Sequence, residues 1–264
     1  MVDRLESCPI LVVFHQLILL AFFFALRSCE YLRVGSSTTP ADRRTLPLCT
    51  RSFVFWKNNR IVPHTLINLD CPDSVSVVFK FQKRDIRDEI ISQSSTAHPK
   101  HCPVKVSRCI VNRMHTLINK QQATLDTPIF VFADSAGAVV ELTSTVALKM
   151  LRHFLSSIDT ASYGIVVALV GLHSIRSSAA MAMYLANVPV FTMMLLGRWA
   201  SLAFLNYIRK QVEEFNRNVS TKMIERPVFH QVTHMVNNAS EISNNLATKN
   251  PSKASLDLFT VWKV

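Results

Sequence analysis

The longest apolar run of the chain lies near its N-terminus, from Pro9 to Leu26 (PILVVFHQLILLAFFFAL). Its length is close to that of a membrane span. However, His15 and Gln16 stand near its middle, and Asp3 and Glu6 precede it. Because charged flanks and central polar residues are poorly suited to lipid, we interpret the run as a buried core helix.

Alternation of small or polar residues with branched and aromatic ones predicts two strands, Ser52 to Trp56 and Val75 to Phe81. The order of helix, small sheet and further helices indicates an α+β fold rather than alternating βαβ units. Helical periodicity predicts helices at about Ile10–Leu32, Cys102–Leu117, Leu142–Ser157, Ser174–Leu185, Val190–Leu196 and Ser201–Val219.

Two later apolar stretches, Tyr163 to Leu172 and Ala179 to Leu196, are also expected in the core. They are broken or followed by residues that would be costly against lipid, such as Arg176 and Pro189. The Asn- and Ser-rich stretch from Asn237 to Ser255 is expected to be a loose tail.

The charge balance points to a polyanionic partner. The chain has 264 residues, 29 Lys and Arg against 18 Asp and Glu, a net charge of +11 and 49% hydrophobic residues. This length is enough for one domain with its own core, or for one domain and a tail. A basic surface favours nucleic acid first and an anionic membrane second, and a solvated basic surface without a ligand is the alternative.

Cysteine and histidine spacing favours neither a disulfide framework nor a metal site. The six cysteines form no C-x-x-C pair, which is typical of free thiols in a reducing compartment. One group, His98, His101 and Cys102, and one pair, His230 and His234, bring potential ligands close together. Neither set reaches four well-spaced ligands, so no metal is predicted.

Two short segments place cations where packing alone explains them poorly. Arg27 lies three residues before Glu30, a spacing that fits either a helix-end ion pair or a fixed phosphate clamp. His173 and Arg176 share the same spacing, so an imidazole and a guanidinium project from one side of a helical turn. A satisfied core histidine is the alternative for the second pair.

A third segment combines a turn with a tyrosine. Gly197 is expected to end one helix and Ser201 to cap the next, which leaves Arg198 and Trp199 in the turn between them. Tyr207 follows nearly two turns into the second helix, where it is either a core residue or a nucleophile.

The fourth segment is the end of the second predicted strand, which Lys80 and Lys83 bracket. An exposed basic hairpin is the simplest interpretation of these lysines.

The ordered combination of Arg, Lys, His-x-x-Arg, Gly-Arg-Trp and Tyr resembles the tyrosine recombinase (phage integrase-like) superfamily, particularly members from eukaryotic mobile elements. The resemblance runs from about Ala21 to Arg209 and is sharpest at ALRSCEYL, LHSIRSSAAMAMYLANVPV and LLGRWASLAFLNYIR. It implies a mainly helical catalytic domain with a small antiparallel sheet over residues 1–219. A C-terminal helix and a loose polar tail would occupy residues 220–264.

The resemblance implies roles for three residues at the scissile phosphate. Arg27 and Arg176 match the two family arginines that hold its non-bridging oxygens, where negative charge grows in the transition state. His173 matches the family histidine, which exchanges a proton with the attacking or departing oxygen.

The resemblance also implies which residues act as the nucleophile and as the general acid. Tyr207 would form a 3′-phosphotyrosyl bond, and Lys83, with Lys80 as fallback, would protonate the departing 5′ oxygen. Arg198 stands at the position where the family often has His or Trp, and Trp199 follows it. Either residue is expected to add a hydrogen bond to the phosphate. Neither a metal ion nor another cofactor is implied.

The expected partner is double-stranded DNA, with homo-oligomers on DNA and a nuclear location if the source is eukaryotic. Family members usually carry a separate helical domain in front, whereas this chain begins almost at the catalytic helix. A non-catalytic DNA-binding remnant, a type IB topoisomerase with the same chemistry, and a small basic protein anchored in a membrane by Pro9 to Leu26 remain alternatives. The predicted DNA-facing residues are Arg43, Arg44, Arg51, Lys57, Arg60 and Arg84.

Overall fold

The fold is of the α+β class, with the predicted order of helix, small sheet and helices. The computed structural model describes residues 8–35, 45–81, 87–160, 162 and 164–199, which belong to the first of two units, residues 1–209 and 210–264. The elements in chain order are α1 (Pro9–Phe23), α2 (Ser28–Tyr31), β1 (Phe53–Lys57), β2 (Arg60–Val62), β3 (Ser74–Phe81), β4 (Arg87–Ser94), α3 (Pro103–Asn119), β5 (Val131–Ala133), β6 (Val139–Glu141), α4 (Ser144–Ser156), α5 (His173–Leu185) and α6 (Val190–Gly197).

The main sheet has four antiparallel strands in the order β2-β1-β3-β4, and β5 pairs with β6 in a separate two-stranded sheet. Both predicted strands are confirmed as β1 and β3. The turn between β1 and β2 consists of Asn58 and Asn59, whose φ angles are 50° and 61°. Asparagine tolerates this left-handed conformation, which a tight two-residue hairpin turn requires.

The N-terminal apolar run forms a core helix, as predicted. Helix α1 buries Val13, Phe14, Leu17 and Leu20 against α3 and the other elements of the core. The inner face of the main sheet contributes alternate residues of β1 and β3, because side chains one residue apart on a strand point to opposite faces. Among the described residues, no helix has both the length and the hydropathy needed to cross a membrane.

The predicted helix from Ile10 to Leu32 is wrong in its second half, because α1 ends at Phe23. Ala25 has a φ angle of 45°, and the amide of Leu26 donates to the carbonyl of Ala21 at 2.9 Å. This is a Schellman turn, in which a left-handed residue reverses the chain and satisfies the last carbonyls of the helix. The chain then restarts as the short helix α2, with Arg27 as its N-cap.

The core assignment of the two later apolar stretches is also wrong in part. Ile165, Val166 and Leu169 are exposed. They lie in and around a short 3-10 helix, Val167–Leu169, and Arg152 holds this part of the chain to α4 by hydrogen bonds to the carbonyls of Ala168 and Val170. Helices α5 and α6 bury narrow faces and leave Leu185, Val190, Phe191 and Leu195 exposed.

Two histidines tie the turn after β2 to helix α3. Nε2 of His64 donates to the carbonyl of Phe53 at 2.8 Å, and in this tautomer Nδ1 of the same ring accepts a hydrogen bond. Nε2 of His115 lies 3.4 Å from that Nδ1 and donates to it. Asn68 and Asn112 exchange two amide hydrogen bonds nearby, at 3.3 and 2.8 Å.

This pair is expected to make stability depend on pH. Burial, followed by the charge of His64, lowers the pKa of His115 from its usual 6.5. His115 therefore binds a proton more readily in the unfolded chain than in the folded one. The contribution of the histidine pair to the free energy of unfolding is complete above about pH 6.5 and is lost as the pH falls. Urea unfolding at pH 7.5 and 5.5 measures how much free energy of unfolding is lost on acidification. This loss should be smaller in His115→Gln than in the wild type, because the Gln amide keeps a hydrogen-bond donor but does not titrate.

The matched control is His153→Gln, which removes an exposed histidine on α4 and should keep the wild-type pH dependence. Equal pH dependence in His115→Gln and the wild type would contradict this role for the pair.

Candidate functional site

The site is built around the carbonyl oxygen of Ala25, which the turn at the end of α1 directs away from the helix. Nη1 of Arg176 donates to this oxygen, and Nη2 of Arg198 lies 3.3 Å from it. The two arginines come from the C-terminal helices, far from Ala25 in sequence. A backbone turn thus gathers two cations that sequence spacing alone could not place together.

Glu30 is the carboxylate that holds the cations. Its side chain is fully buried. Oε2 accepts hydrogen bonds from Nη2 of Arg198 at 2.9 Å and from the backbone amide of Arg27 at 2.7 Å. Oε1 accepts one from Nη1 of Arg27 at 3.2 Å. The predicted pairing of Arg27 with Glu30 is confirmed, but it caps the short helix α2 rather than lying along one long helix.

Arg198 is also a buried cation, and its side chain is only 1% exposed. It follows the last residue of α6 with a left-handed φ angle of 54°, and its guanidinium carbon lies 3.7 Å from the centre of the Phe79 ring. Burial lowers the pKa of Arg198, the carboxylate of Glu30 opposes the shift, and the charge of Arg27 adds to it. Within the described residues, its Nε and Nη1 atoms have no hydrogen-bond partner.

Arg176 and Trp199 pack together beside this centre. Nη2 of Arg176 donates to the carbonyl of Gly197, and its guanidinium carbon lies 4.9 Å from the centre of the Trp199 ring. The indole lies directly against Gly197 and leaves no room for a Cβ atom at that residue. Gly197 is the last residue of α6, as predicted, and its lack of a side chain leaves room for the Trp199 indole.

His173 stands at the exposed edge of the same group. It is the first residue of α5, three residues before Arg176, and its side chain reaches solvent. Partial burial, followed by the charges of Arg176 and Arg27, lowers the pKa of His173 from its usual 6.5. The imidazole is therefore neutral at pH 7 and able to accept a proton.

The structure thus brings together five of the residues predicted from sequence, which are Arg27, His173, Arg176, Arg198 and Trp199. Glu30, which joins them, had been interpreted only as the partner of Arg27. Its position three residues after Arg27, just beyond the apolar run, is the sequence feature that marks it. Two other predicted catalytic residues, Lys83 and Tyr207, lie outside the described residues.

The alternative lysine, Lys80, is exposed on β3. It directly follows Phe79, which contacts Arg198. Because neighbouring strand residues point to opposite faces of a sheet, Lys80 projects away from the cation group. Lys80 is therefore not placed to join that group.

The three predicted DNA-facing residues that the structure describes do not join this site. Lys57 and Arg60 pair across the exposed β1–β2 hairpin, while Arg51 is exposed and forms an ion pair with Asp126 at 3.0 Å. The remaining three, Arg43, Arg44 and Arg84, fall on parts of the chain that the structure does not describe.

The group His98, His101 and Cys102 is held by hydrogen bonds within the protein. The rings of His98 and His101 stack with their centres 4.4 Å apart. Burial would raise the pKa of the Cys102 thiol, but hydrogen bonds from Ser95 and from nearby backbone amides outweigh it and lower that pKa to about 7. Within the described ranges, no group of three or more His, Cys, Asp or Glu residues is arranged to hold a metal ion. All six cysteines are free thiols, as predicted.

Comparisons of the chain with protein-family models, with curated proteins and with solved structures gave no match.

The carboxylate of Glu30 is expected to be essential for the stability of this site. Glu30→Ala should lower the free energy of unfolding by about 3–5 kcal/mol, because it leaves the charge of Arg198 buried without a partner. Glu141→Ala, which breaks an exposed ion pair with Arg33, is the matched control and should cost at most about 1 kcal/mol. Denaturant unfolding measures both.

The effect of Glu30→Ala should shrink in an Arg198→Met background, since the buried cation is then gone. An undiminished loss in that background would show that the Glu30–Arg198 pair does not hold the site together.

Proposed function

We propose that this chain is the catalytic domain of a tyrosine recombinase, which breaks and rejoins double-stranded DNA through a 3′-phosphotyrosyl intermediate. The observation that carries the proposal is the meeting of Arg27 with His173 and Arg176, which come from opposite ends of the described chain. Burial lowers the pKa of His173, and the charges of Arg176 and Arg27 lower it further because both guanidinium groups lie near the imidazole. These are the residue types that phosphoryl transfer to a hydroxyl needs.

The reaction begins when the Tyr207 hydroxyl attacks the scissile phosphorus. The bond to the 5′ oxygen breaks as the phosphotyrosyl bond forms, and His173, neutral at pH 7, accepts the tyrosine proton. Lys83 gives a proton to the departing 5′ oxygen. Because the phosphotyrosyl bond keeps the energy of the phosphodiester, a 5′ hydroxyl of another strand reverses the step and rejoins the DNA.

The arginines have unequal access to such a phosphate. The side chain of Arg27 is 31% exposed, so it reaches a phosphate oxygen directly. Arg176 is buried against Trp199, and its contact with the phosphate requires the indole to move aside. We assign Arg198 a positioning role, because its bond to Glu30 fixes the carboxylate that orients Arg27.

The DNA itself would lie across the basic surface. Lys57 and Arg60 at the tip of the exposed hairpin offer contacts to backbone phosphates, and such contacts make binding weaken steeply as salt rises. DNA-dependent homo-oligomers and a nuclear location, if the source is eukaryotic, complete the proposal.

Covalent trapping tests the proposal. The protein is incubated with a broad pool of nicked or phosphorothiolate-bearing DNA duplexes and examined on a denaturing gel. We expect an adduct with the wild type and with Tyr184→Phe, a matched tyrosine variant on α5. Tyr207→Phe should give none.

An adduct that persists in Tyr207→Phe would show that Tyr207 is not the nucleophile. If a folded, DNA-binding protein forms no adduct, the chain is a non-catalytic DNA-binding remnant. Relaxation of supercoiled DNA without exchange of partners would instead identify a type IB topoisomerase.

A further inference from the structure

A cavity of about 250 Å³ lies between α1, α3 and β5. None of the residues that line it belongs to the cation group around Glu30. Its walls are mostly apolar, and the polar part of the lining consists of two cations, Arg113 and Lys120, and the hydroxyl residue Thr116. The apolar wall residues that matter here are Val12, Val13, Leu117, Phe132 and Ala133.

Arg113 brings a positive charge into the wall of this cavity. Its guanidinium donates to the carbonyls of Ile129 and Val131 at 2.6 and 2.5 Å, and to Oε1 of Gln16 at 3.2 Å. All of these acceptors are uncharged. Burial lowers the pKa of Arg113 to about 10, so the group remains a cation at neutral pH.

No carboxylate in the described ranges neutralises the charges at the cavity. The ion pairs of the described residues join other side chains, and none of them includes Arg113 or Lys120. The first turn of α1, which begins at Pro9 on the cavity wall, contains no acidic residue. The partial positive charge of that helix end therefore adds to the field of the two side chains.

From this combination we propose that the cavity binds a small organic monocarboxylate with an apolar body. The carboxylate lies toward Arg113 and Lys120, and the body packs against Val12, Leu117 and Phe132. The apolar walls disfavour inorganic phosphate, which would lose hydration there without apolar contacts in return. The volume is below the about 300–1,000 Å³ of typical ligand pockets, which restricts the ligand to a small molecule.

Calorimetric titration of the full chain with octanoate tests the site. Saturable binding of one octanoate per chain is expected, with much weaker binding of 1-octanol and none of inorganic phosphate. Lys120→Gln removes one exposed cation and should weaken octanoate binding by up to about fivefold. Lys149→Gln, on the exposed surface of α4, is the matched control and should leave binding unchanged.

Filling the cavity gives the sharper test. Val12→Trp and, separately, Ala133→Leu should reduce octanoate binding at least tenfold, and the variant whose thermal unfolding stays closest to the wild type decides the outcome. Absence of saturable octanoate binding to the wild type, equal binding of 1-octanol, or unchanged binding in the decisive variant overturns the proposal. The site is separate from the proposed DNA chemistry, so covalent trapping and octanoate binding succeed or fail independently.

Discussion

The buried carboxylate of Glu30 is the interaction on which the candidate site depends. It joins Arg27, at the start of α2, to Arg198, at the end of α6, and the carboxylate itself is fully buried. A buried ion pair adds little net stability over apolar packing, but loss of one partner is costly. The pair therefore acts chiefly to specify one arrangement of helices that are far apart in the sequence.

The charge balance around Glu30 supports the proposal that the site binds a phosphate. Three guanidinium groups, those of Arg27, Arg176 and Arg198, gather near a single carboxylate, and the carbonyl of Ala25 supplies only a partial negative charge. The group keeps an excess of positive charge in a partly enclosed place. Fixed charges of this kind stabilise an anionic transition state more strongly than mobile water does.

Local pattern was sufficient to predict much of the fold. Strands β1 and β3 alternate clearly, and α3 begins where Pro103 marks a first helical turn. Strand β4 was not predicted because its sequence, RDEIISQS, is mostly polar, although it pairs with β3, the strand before it in the chain. The end of α1 was missed because an alanine, Ala25, occupies the left-handed position where glycine usually signals a helix end.

Most residues of the site could be predicted from the sequence, but the contacts between them could not. The spacing of His173 and Arg176 placed both on one helical turn, whereas the bond from Arg198 to Glu30 spans the chain and leaves no mark in local sequence. The central claim, that these residues serve a tyrosine nucleophile, is tested most directly by mass spectrometry of a proteolysed protein–DNA adduct. We predict a phosphonucleotide on the peptide that contains Tyr207; attachment to a different residue would contradict the account.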